Sequence, residues 1–372
     1  MDEKKIKWYS LERIKKCHCQ YNMIIGERSN GKTYAILMET LKNWKDNRKQ
    51  SALVRRFDEE IKPSLISTIY AHIIANGELK KLFKKEKWTR IVYKSRCFYL
   101  ARMDKVKNAR GDVTEELVVE EGPFMYTFSL TSEQDYKETA YPNVTLIFFD
   151  EFMSRKGFLE NEFVLFQNVI STIKRKRQDV VIYMCGNTID KYSIYFTEMG
   201  LKHVTKMKPG DMEVYTYPNT SLKVAVEFCG NATKIKGKKD IDPYFAFDNP
   251  RLKMITTGEW EIDIYPHCPC EILPKNIRFT YFILCEEQIL QCEICNVDGN
   301  WFTYIHRKTT PIKNPDKDCV YKSEYDYRKN YHMSLTKPKT RLEMKISSFY
   351  QRNKVFYQDN EVGELVAHFL QQ

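Results

Sequence analysis

The sequence contains no apolar run near the ~20 residues that a helix needs to cross a bilayer. Its longest apolar runs, residues 144–149 and 180–184, have the length of buried strands instead. Residues 1–8 are charged and carry no apolar segment ahead of a small-residue cleavage site, so export is not predicted. Internal repeats and low-complexity segments are also absent. We therefore expect a folded protein that stays in a cytoplasm.

A disulfide framework is not indicated. The 11 cysteines are odd in number and scattered over a long chain, which suits reduced thiols. Four residues leave a zinc site open because they have H-x2-C and C-x2-C spacing: His267, Cys270, Cys292 and Cys295. The alternative is that thiols are simply frequent in this part of the chain, since residues 292–295 fall in a predicted strand.

Length and charge set the broad class. A chain of 372 residues suggests two domains joined by a connector. Hydrophobic residues make up 42% and aromatics 13%, and charged residues are spread along the chain, as in globular proteins. The formal net charge of +11 favours a polyanionic partner but does not identify nucleic acid by itself.

The pattern of elements predicts an α/β first domain over residues 1–205. Short strands alternate with helical patterns, the strands being at residues 23–25, 51–55, 90–93, 144–149 and 180–184. This alternation is typical of a mostly parallel sheet flanked by helices. The pattern breaks at Pro209 and Gly210, and a polar stretch follows, so residues 206–260 are predicted to be a connector.

A second, smaller α/β domain is predicted over residues 261–372. Strand-like segments lie at residues 277–284, 289–294 and 301–306, with a turn at 298–300. The chain then ends in an amphipathic helical pattern made by Val362, Leu365, Val366, Phe369 and Leu370.

Residues 26–33 fit the phosphate-binding motif G-x-x-x-x-G-K-[ST], between a predicted strand and a predicted helix, as the motif requires. Backbone N–H groups of such a loop, together with the helix N-terminus, bind phosphate oxygens. Lys32 should reach the β- and γ-phosphates, and the Thr33 hydroxyl should bind magnesium. The predicted ATP-binding residues are Gly26, Glu27, Arg28, Ser29, Asn30, Gly31, Lys32 and Thr33.

The apolar run 144–149 ends in two acids, Asp150 and Glu151. A buried parallel strand has this continuous apolar character, and ligands bind at its carboxyl end. We therefore predict that Asp150 binds Mg²⁺ and that Glu151 is the general base that activates water, a role worth ~10²–10⁴ in rate. A carboxylate in that place favours hydrolysis over phosphotransfer.

Two further features follow the predicted helix at residues 163–173. Asn187 ends the next strand and could sense the γ-phosphate, or it could simply close a strand-to-turn junction. The basic run 174–177 could supply an arginine to a neighbouring subunit's nucleotide, worth ~10³–10⁵ in rate, or it could be a solvated surface.

With both nucleotide motifs present, the chain resembles the terminase-like DNA encapsidation ATPases of small tailed phages that package protein-primed genomes with help from a packaging RNA. The resemblance is good over residues 15–200 and faint beyond, at 300–305 and 327–331. The stretches that carry it are residues 25–33, 54–56, 140–144, 149–152, 161–162, 170–177, Asn187 and 195–196.

This resemblance implies a P-loop domain of the ASCE type and an arginine that acts in trans. The matching position is Arg175, with Arg177 as the alternative if the match shifts by two residues. Arg28 matches an arginine of the family's loop. A basic residue that the family uses after its second strand is replaced here by Asp58, which puts that second trans contact in doubt.

For the second domain, the resemblance implies a degraded, RNase H-like nuclease fold that grips nucleic acid. Nearby acids are Glu286, Glu287, Glu293 and Asp298, but their spacing does not indicate the convergence that two-metal cleavage needs. Basic residues interleave with tyrosines over 322–354, which suits backbone contacts with nucleic acid, although a solvated rim is the alternative. The predicted nucleic-acid contacts are Lys234, Lys236, Lys238 and Lys239 in the connector, and Arg328 and Lys329 in the second domain.

The leading hypothesis is therefore a ring-forming ATPase that moves double-stranded viral DNA into a preformed capsid through its portal. The resemblance implies five subunits, a packaging RNA as a possible partner, and transient residence on the capsid in the host cytoplasm. Two alternatives remain open: a helicase-like nucleic-acid ATPase, and a scaffold that binds nucleotide to assemble without significant turnover.

Overall fold

The computed structural model describes residues 8–107, 113–154, 158–188, 193–230, 263–285 and 288–371. The chain forms two compact units, residues 1–261 and 262–372. The first unit contains the two nucleotide motifs, and the second contains the predicted small domain.

The first unit contains one ten-stranded sheet with helices on both faces. Its strands are β1 Tyr21–Gly26, β2 Gln50–Arg55, β3 Arg90–Lys94, β4 Cys97–Lys107, β5 Val113–Val119, β6 Met125–Ser129, β7 Val144–Asp150, β8 Val181–Asn187, β9 Met212–Thr216 and β10 Lys223–Phe228. Its helices are α1 Glu12–Lys15, α2 Lys32–Asn47, α3 Pro63–Ile66, α4 Ala71–Ala75, α5 Glu78–Leu82, α6 Glu162–Lys174 and α7 Ile194–Glu198.

The strand order is β3-β4-β6-β2-β7-β8-β1-β10-β9, and β5 pairs with β4. The six strands from β6 to β10 in this order are parallel, as the sequence predicted for the sheet. Antiparallel strands extend both edges: β9 pairs with β10, and β4 joins β6 to β3 and β5. The sheet is therefore mixed, and sequence analysis did not predict its antiparallel edges.

Burial explains why the central strands read as continuous apolar runs. Successive side chains of a strand point to opposite faces, and both faces of this sheet are covered. Met23 and Ile25 pack in the layer that contains α6, whereas Ile24 packs in the layer that contains α2. Because nearly every position of these strands is buried, apolar side chains predominate, and the one acid of β7, Asp150, stands at the end of the strand.

The predicted connector at residues 206–260 is wrong over its first part. Strands β9 and β10 belong to the sheet, and β10 pairs in parallel with β1 from Tyr21–Val224 to Ile25–Phe228. Glu227 interrupts the apolar run of β10, but its carboxylate is buried and accepts a hydrogen bond from Tyr9 Oη at 2.8 Å. The predicted contacts Lys234, Lys236, Lys238 and Lys239 lie outside the described residues.

The second unit has a six-stranded mixed sheet in the order β15-β14-β11-β12-β13-β16. Its strands are β11 Ile277–Cys285, β12 Gln288–Val297, β13 Asn300–Lys308, β14 Cys319–Lys322, β15 Tyr331–His332 and β16 Val355–Tyr357, and its helices are α8 Arg341–Gln351 and α9 Asn360–Gln371. The three predicted strands and the final helix are confirmed, and α9 buries its apolar face. In neither unit do the described residues include a helix long and apolar enough to cross a membrane.

Candidate nucleotide site

The predicted phosphate-binding loop lies between β1, which ends at Gly26, and α2, which begins at Lys32. Gly26 has φ +153° and Gly31 has φ +96°, conformations that L side chains rarely adopt. A Cβ on Gly26 would also lie 3.1 Å from the Cβ of Cys229. Both motif glycines are thus required by the backbone of the loop that precedes α2, and the N-terminus of a helix is where an anion is favoured.

Lys32 is buried, with 5% of its surface exposed. Its Nζ donates to the carbonyl oxygens of Gly26 at 3.2 Å and Glu27 at 2.5 Å. It also lies 3.2 Å from Asn30 Oδ1 and 3.4 Å from Asn187 Oδ1. Burial lowers the pKa of this ammonium group. The structure therefore brings Asn187, at the end of β8, to the lysine of the loop.

Thr33 and Asp150, the two predicted magnesium ligands, also meet. Thr33 Oγ1 donates to Asp150 Oδ1 at 3.3 Å, and Asp150 is 4% exposed. The other carboxylate oxygen, Oδ2, accepts a hydrogen bond from Arg55 Nη2 at 2.5 Å. The residues present fit a hard divalent cation, because a hydroxyl and a carboxylate are the oxygen donors that magnesium takes.

Glu151 lies beside this centre and has a different exposure. Its carboxylate is 63% exposed and lies 3.2 Å from Arg55 Nη1, so one guanidinium bridges both acids. Glu151 has φ +59°, a left-handed conformation that is uncommon for a residue with a side chain. This backbone turn directs two consecutive residues differently: Asp150 is buried, and Glu151 is accessible to water.

A buried ion pair supports the segment that follows Glu151. Arg56 donates from Nε and Nη2 to the two carboxylate oxygens of Glu162, at 2.7 and 2.9 Å. Glu162 also accepts from Tyr195 Oη at 2.8 Å, and Arg56 Nη2 donates to the carbonyl of Phe152 at 2.8 Å. The pair thereby ties the end of β2 to the start of α6 and to the chain just after Glu151.

Replacing Glu162 with alanine is expected to lower the free energy of unfolding of the first unit by ~3–5 kcal/mol, because it leaves the Arg56 guanidinium buried without its counter-ion. Chemical denaturation followed by fluorescence measures this effect. Glu160→Ala is the matched control, since Glu160 is an exposed acid just before the same helix. A loss for Glu162→Ala no larger than that of the control would contradict this role.

The structure separates Arg175 from the loop of its own chain. Arg175 follows α6 and is exposed, and within the part of the chain that the structure describes its side chain makes one 3.4 Å contact, from Nη2 to the carbonyl of Thr139. It lines a cleft of roughly 390 Å³ with residues that include Gln20 and Tyr21, at the start of β1. The phosphate-binding loop follows the opposite end of β1. Arg175 therefore lies at the amino edge of the sheet, away from Lys32.

Arg177, the alternative trans arginine, is held within its own chain. Its Nη2 donates to the carbonyl oxygens of Tyr141 at 3.2 Å, Val144 at 2.6 Å and Ile173 at 3.1 Å. Its Nη1 donates to Asp179 Oδ1 at 3.1 Å. Arg177 thus fastens the end of α6 to the segment before β7, which makes Arg175 the freer of the two cations.

The position that prompted doubt about a second trans contact, Asp58, is also paired within the chain. Its Oδ1 lies 2.9 Å from Arg96 Nη2 and accepts hydrogen bonds from Ser129 and Ser132, each at 3.1 Å. This carboxylate stabilises the turn after β2. These contacts do not give Asp58 the role in trans that the resemblance implies for a basic residue at this position.

The cysteines of the possible zinc set do not assemble into one centre. Cys292 is buried next to Tyr281 and Tyr350, and Cys295 is three positions further along β12, on the opposite face of that strand. Among the described residues, no group of three or more histidine, cysteine or acidic side chains could hold a metal ion. The zinc interpretation is therefore not supported by the geometry of these four residues.

In the second unit, the residues predicted to contact nucleic acid and the acids considered for nuclease activity differ in their contacts and exposure. Arg328 donates to Asp326 at 2.7 and 2.9 Å and lies 3.8 Å from the ring centre of Tyr331, whereas Lys329 is exposed. Glu293 lies 3.5 Å from His306 Nε2. Asp298 is in the β12–β13 turn, and Glu286 and Glu287 lie outside the described residues.

The sequence is similar to those of known phage proteins. The chain is 25% identical over 183 residues to the DNA packaging protein of Bacillus phage B103, a match covering 48% of each protein. It is also 25% identical over 178 residues to the DNA packaging protein of Bacillus phage phi29, covering 47% of this chain and 45% of that protein. The resemblance to phage DNA packaging proteins is confirmed.

The aligned part spans about half the length of these packaging proteins. Over nearly the whole chain, the fold is similar to two solved structures. One is the phi28 gp11 DNA packaging motor, with a TM-score of 0.51, 17% identity and 99% of both chains covered. The other is the phi29 viral genome packaging motor assembly, with a TM-score of 0.52, 17% identity, and 97% and 99% covered. No family model matches the chain.

Four residues that contact Asp150 or Glu151, directly or through another side chain, were not assigned a role by the sequence analysis: Arg55, Arg56, Glu162 and Cys185. Arg55 is the last residue of the predicted strand at 51–55 and Arg56 follows it, and the carboxyl ends of parallel strands meet at one edge of a sheet. That rule could have placed Arg55 beside Asp150. No comparable signal exists for Glu162 or Cys185, because an acid before a helix and a cysteine in a strand are common.

Proposed function

We propose that this protein is an ATP-hydrolysing subunit of a motor that packages double-stranded viral DNA into a capsid. The observation that carries the proposal is the meeting of Lys32, Thr33, Asp150 and Asn187 at one edge of the sheet, from three separate segments of the chain. The similarity to phage DNA packaging proteins supports packaging as the process that hydrolysis drives.

Binding of the triphosphate follows from the loop. The N–H groups at the start of α2 and the Lys32 ammonium would neutralise phosphate oxygens, and residues 26–33 would enclose them. The Lys32 ammonium is held at the loop by its hydrogen bonds to the carbonyls of Gly26 and Glu27, within the segment that would enclose the phosphates. Thr33 and Asp150 would hold Mg²⁺, which supplies charge stabilisation at the transferring phosphoryl group.

Hydrolysis requires a base that can reach water, and Glu151 is an exposed acid directly after Asp150. Arg55 pairs with both Asp150 and Glu151. A metal ion at Asp150 would compete with that ion pair, because both cations are attracted to the same carboxylate. We therefore propose that Arg55 moves away from Asp150 when magnesium ATP binds, and that Asn187 contacts the γ-phosphate.

Arg175 would act on the nucleotide of a neighbouring subunit. It is exposed, it lies at the sheet edge opposite its own loop, and its contact with Thr139 is weak. A ring with head-to-tail contacts joins two different faces of each subunit, which brings opposite edges together. We propose a homo-oligomeric ring of five subunits, with the capsid portal and a packaging RNA as partners in the host cytoplasm.

The second unit would serve nucleic-acid gripping rather than cleavage. A degraded nuclease-like fold is supported by its mixed sheet flanked by α8 and α9. Strand β11 at the centre carries no acidic residue, and Glu293 lies beside His306. Two-metal cleavage needs several acids within reach of ions ~3.5–4 Å apart. Exposed Lys329 remains a candidate phosphate contact, and Arg328 is weaker because Asp326 neutralises it.

The test is steady-state ATPase activity with and without double-stranded DNA and emptied capsids. We expect stimulation that needs both, since a packaging motor engages the two together. Because DNA contacts would be to phosphates, DNA binding should weaken steeply with salt and depend little on sequence. Unwinding of a forked duplex would indicate a helicase instead, and nucleotide binding without turnover would indicate an assembly scaffold.

A further inference from the structure

Cys185 occupies the centre of the candidate site without a role in the steps above. It lies on β8, level with Asp150 of β7 on one side and with Ile24 of β1 on the other. The side chain is 2% exposed. Because neighbouring residues at the same level of a parallel sheet project to the same face, the thiol and the Asp150 carboxylate lie side by side.

Two contacts connect this thiol with the predicted magnesium ligands. Cys185 Sγ donates to Asp150 Oδ1 at 3.0 Å, and it lies 3.6 Å from Thr33 Oγ1. The Asp150 carboxylate thus receives three donors: Thr33 and Cys185 at Oδ1, and Arg55 at Oδ2. Each donor restricts rotation of the carboxylate.

Metal binding would affect these three donors differently. The Thr33 hydroxyl would turn its lone pair to Mg²⁺, and Arg55 would compete with the metal for the same carboxylate. The Cys185 thiol is a soft group that a hard cation does not take as a ligand, so its hydrogen bond to Oδ1 can persist. It is the contact that can orient Asp150 both before and after the metal arrives.

We propose that Cys185 is a positioning residue for the magnesium site: its S–H group fixes the orientation of the Asp150 carboxylate toward the cation. The inference rests on the proposed binding of magnesium ATP. Partners that orient metal ligands from outside the coordination sphere typically contribute ~10–100-fold in metal affinity. We expect an effect near the lower end of that range because a thiol is a weak donor.

The experiment measures binding of a fluorescent, non-hydrolysable ATP analogue to the full chain as Mg²⁺ is titrated. In Cys185→Ala, the Mg²⁺ concentration for half-maximal binding should rise ~10-fold, and binding without Mg²⁺ should stay as in the wild type. Cys185→Ser keeps a donor and should stay close to the wild type. Cys97→Ala is the matched control, a buried cysteine on β4, a strand that pairs with neither β7 nor β8.

Several results would overturn the proposal. One is an unchanged Mg²⁺ requirement in Cys185→Ala. Another is a rise in the Mg²⁺ requirement of Cys185→Ser as large as that of Cys185→Ala. A third is weaker binding of the analogue to Cys185→Ala in the absence of Mg²⁺, which would indicate a packing role. If the alanine variant does not fold, the serine variant decides, together with the infrared S–H band of Cys185, which is identified by subtracting the spectrum of Cys185→Ser from that of the wild type. That band should stay at its hydrogen-bonded frequency when magnesium and the analogue are added, and a shift to the free-thiol position refutes the idea. Failure of the wild type to bind the analogue at all would refute the proposed function instead.

Discussion

Glu151→Gln is expected to reduce the rate of ATP hydrolysis by ~10²–10⁴-fold while ATP binding is retained. The amide keeps the size and much of the polarity of the side chain but cannot accept a proton from water. Lys32, Thr33 and Asp150 remain in place for the nucleotide. Steady-state phosphate release measures the rate, and equilibrium binding of an ATP analogue measures affinity.

Glu160→Gln provides a matched control for this prediction. Glu160 is an exposed acid in the same segment after β7, so the substitution makes the same chemical change away from the loop. Its turnover should equal that of the wild type. Normal steady-state turnover in Glu151→Gln would remove Glu151 as the base, and loss of nucleotide binding would show that the carboxylate is needed for the site to form.

Arg175→Ala should lower the ATPase rate of the assembled protein by ~10³–10⁵-fold, the range typical of arginines that act on a neighbour's nucleotide. Nucleotide affinity of the isolated subunit should be unchanged, because Arg175 lies at the sheet edge away from its own loop. Lys176→Ala is the control, since it removes an adjacent exposed cation of the same basic run.

Mixing two inactive variants tests whether Arg175 acts in trans. Subunits with Lys32→Ala lack a functional loop but still carry Arg175, whereas Arg175→Ala subunits have an intact loop. At mixed interfaces the first kind can supply its arginine to the second, so intermediate ratios should regain part of the activity. An absence of rescue at every ratio would count against the trans role. Arg177→Ala should mainly lower stability, because Arg177 binds three carbonyl oxygens.

The nucleotide motifs were readable from the sequence because their chemistry is local. A glycine-bounded loop needs its residues at fixed spacing, and residues 26–33 have that spacing between a strand and a helix. The run 144–149 before Asp150 likewise predicts a buried strand with an acid at its end. The α/β class of the first unit and several strands of both units followed from strand and helix periodicities.

The wrong or missing parts concern contacts between distant segments. The stretch predicted as connector contains β10, which pairs with β1. It was missed because a short apolar run with one glutamate does not show that β1 needs a second neighbouring strand. The zinc pattern of Cys292 and Cys295 has the right spacing, but a strand places residues three apart on opposite faces. In both cases the outcome was decided by a neighbouring strand or by the face of the strand, which the local pattern does not specify.

The sequence by itself determined that residues 26–33 carry a phosphate-binding motif between a strand and a helix, that a strand ends at Asp150 next to Glu151, and that a basic run follows the next helix. Only the tertiary structure decided that Arg55 bridges the two acids, that Cys185 contacts Asp150, and that Arg175 lies at the edge opposite its own loop. The physical reason is that parallel pairing fixes which strand ends meet and at what level, and no spacing within one segment specifies that register.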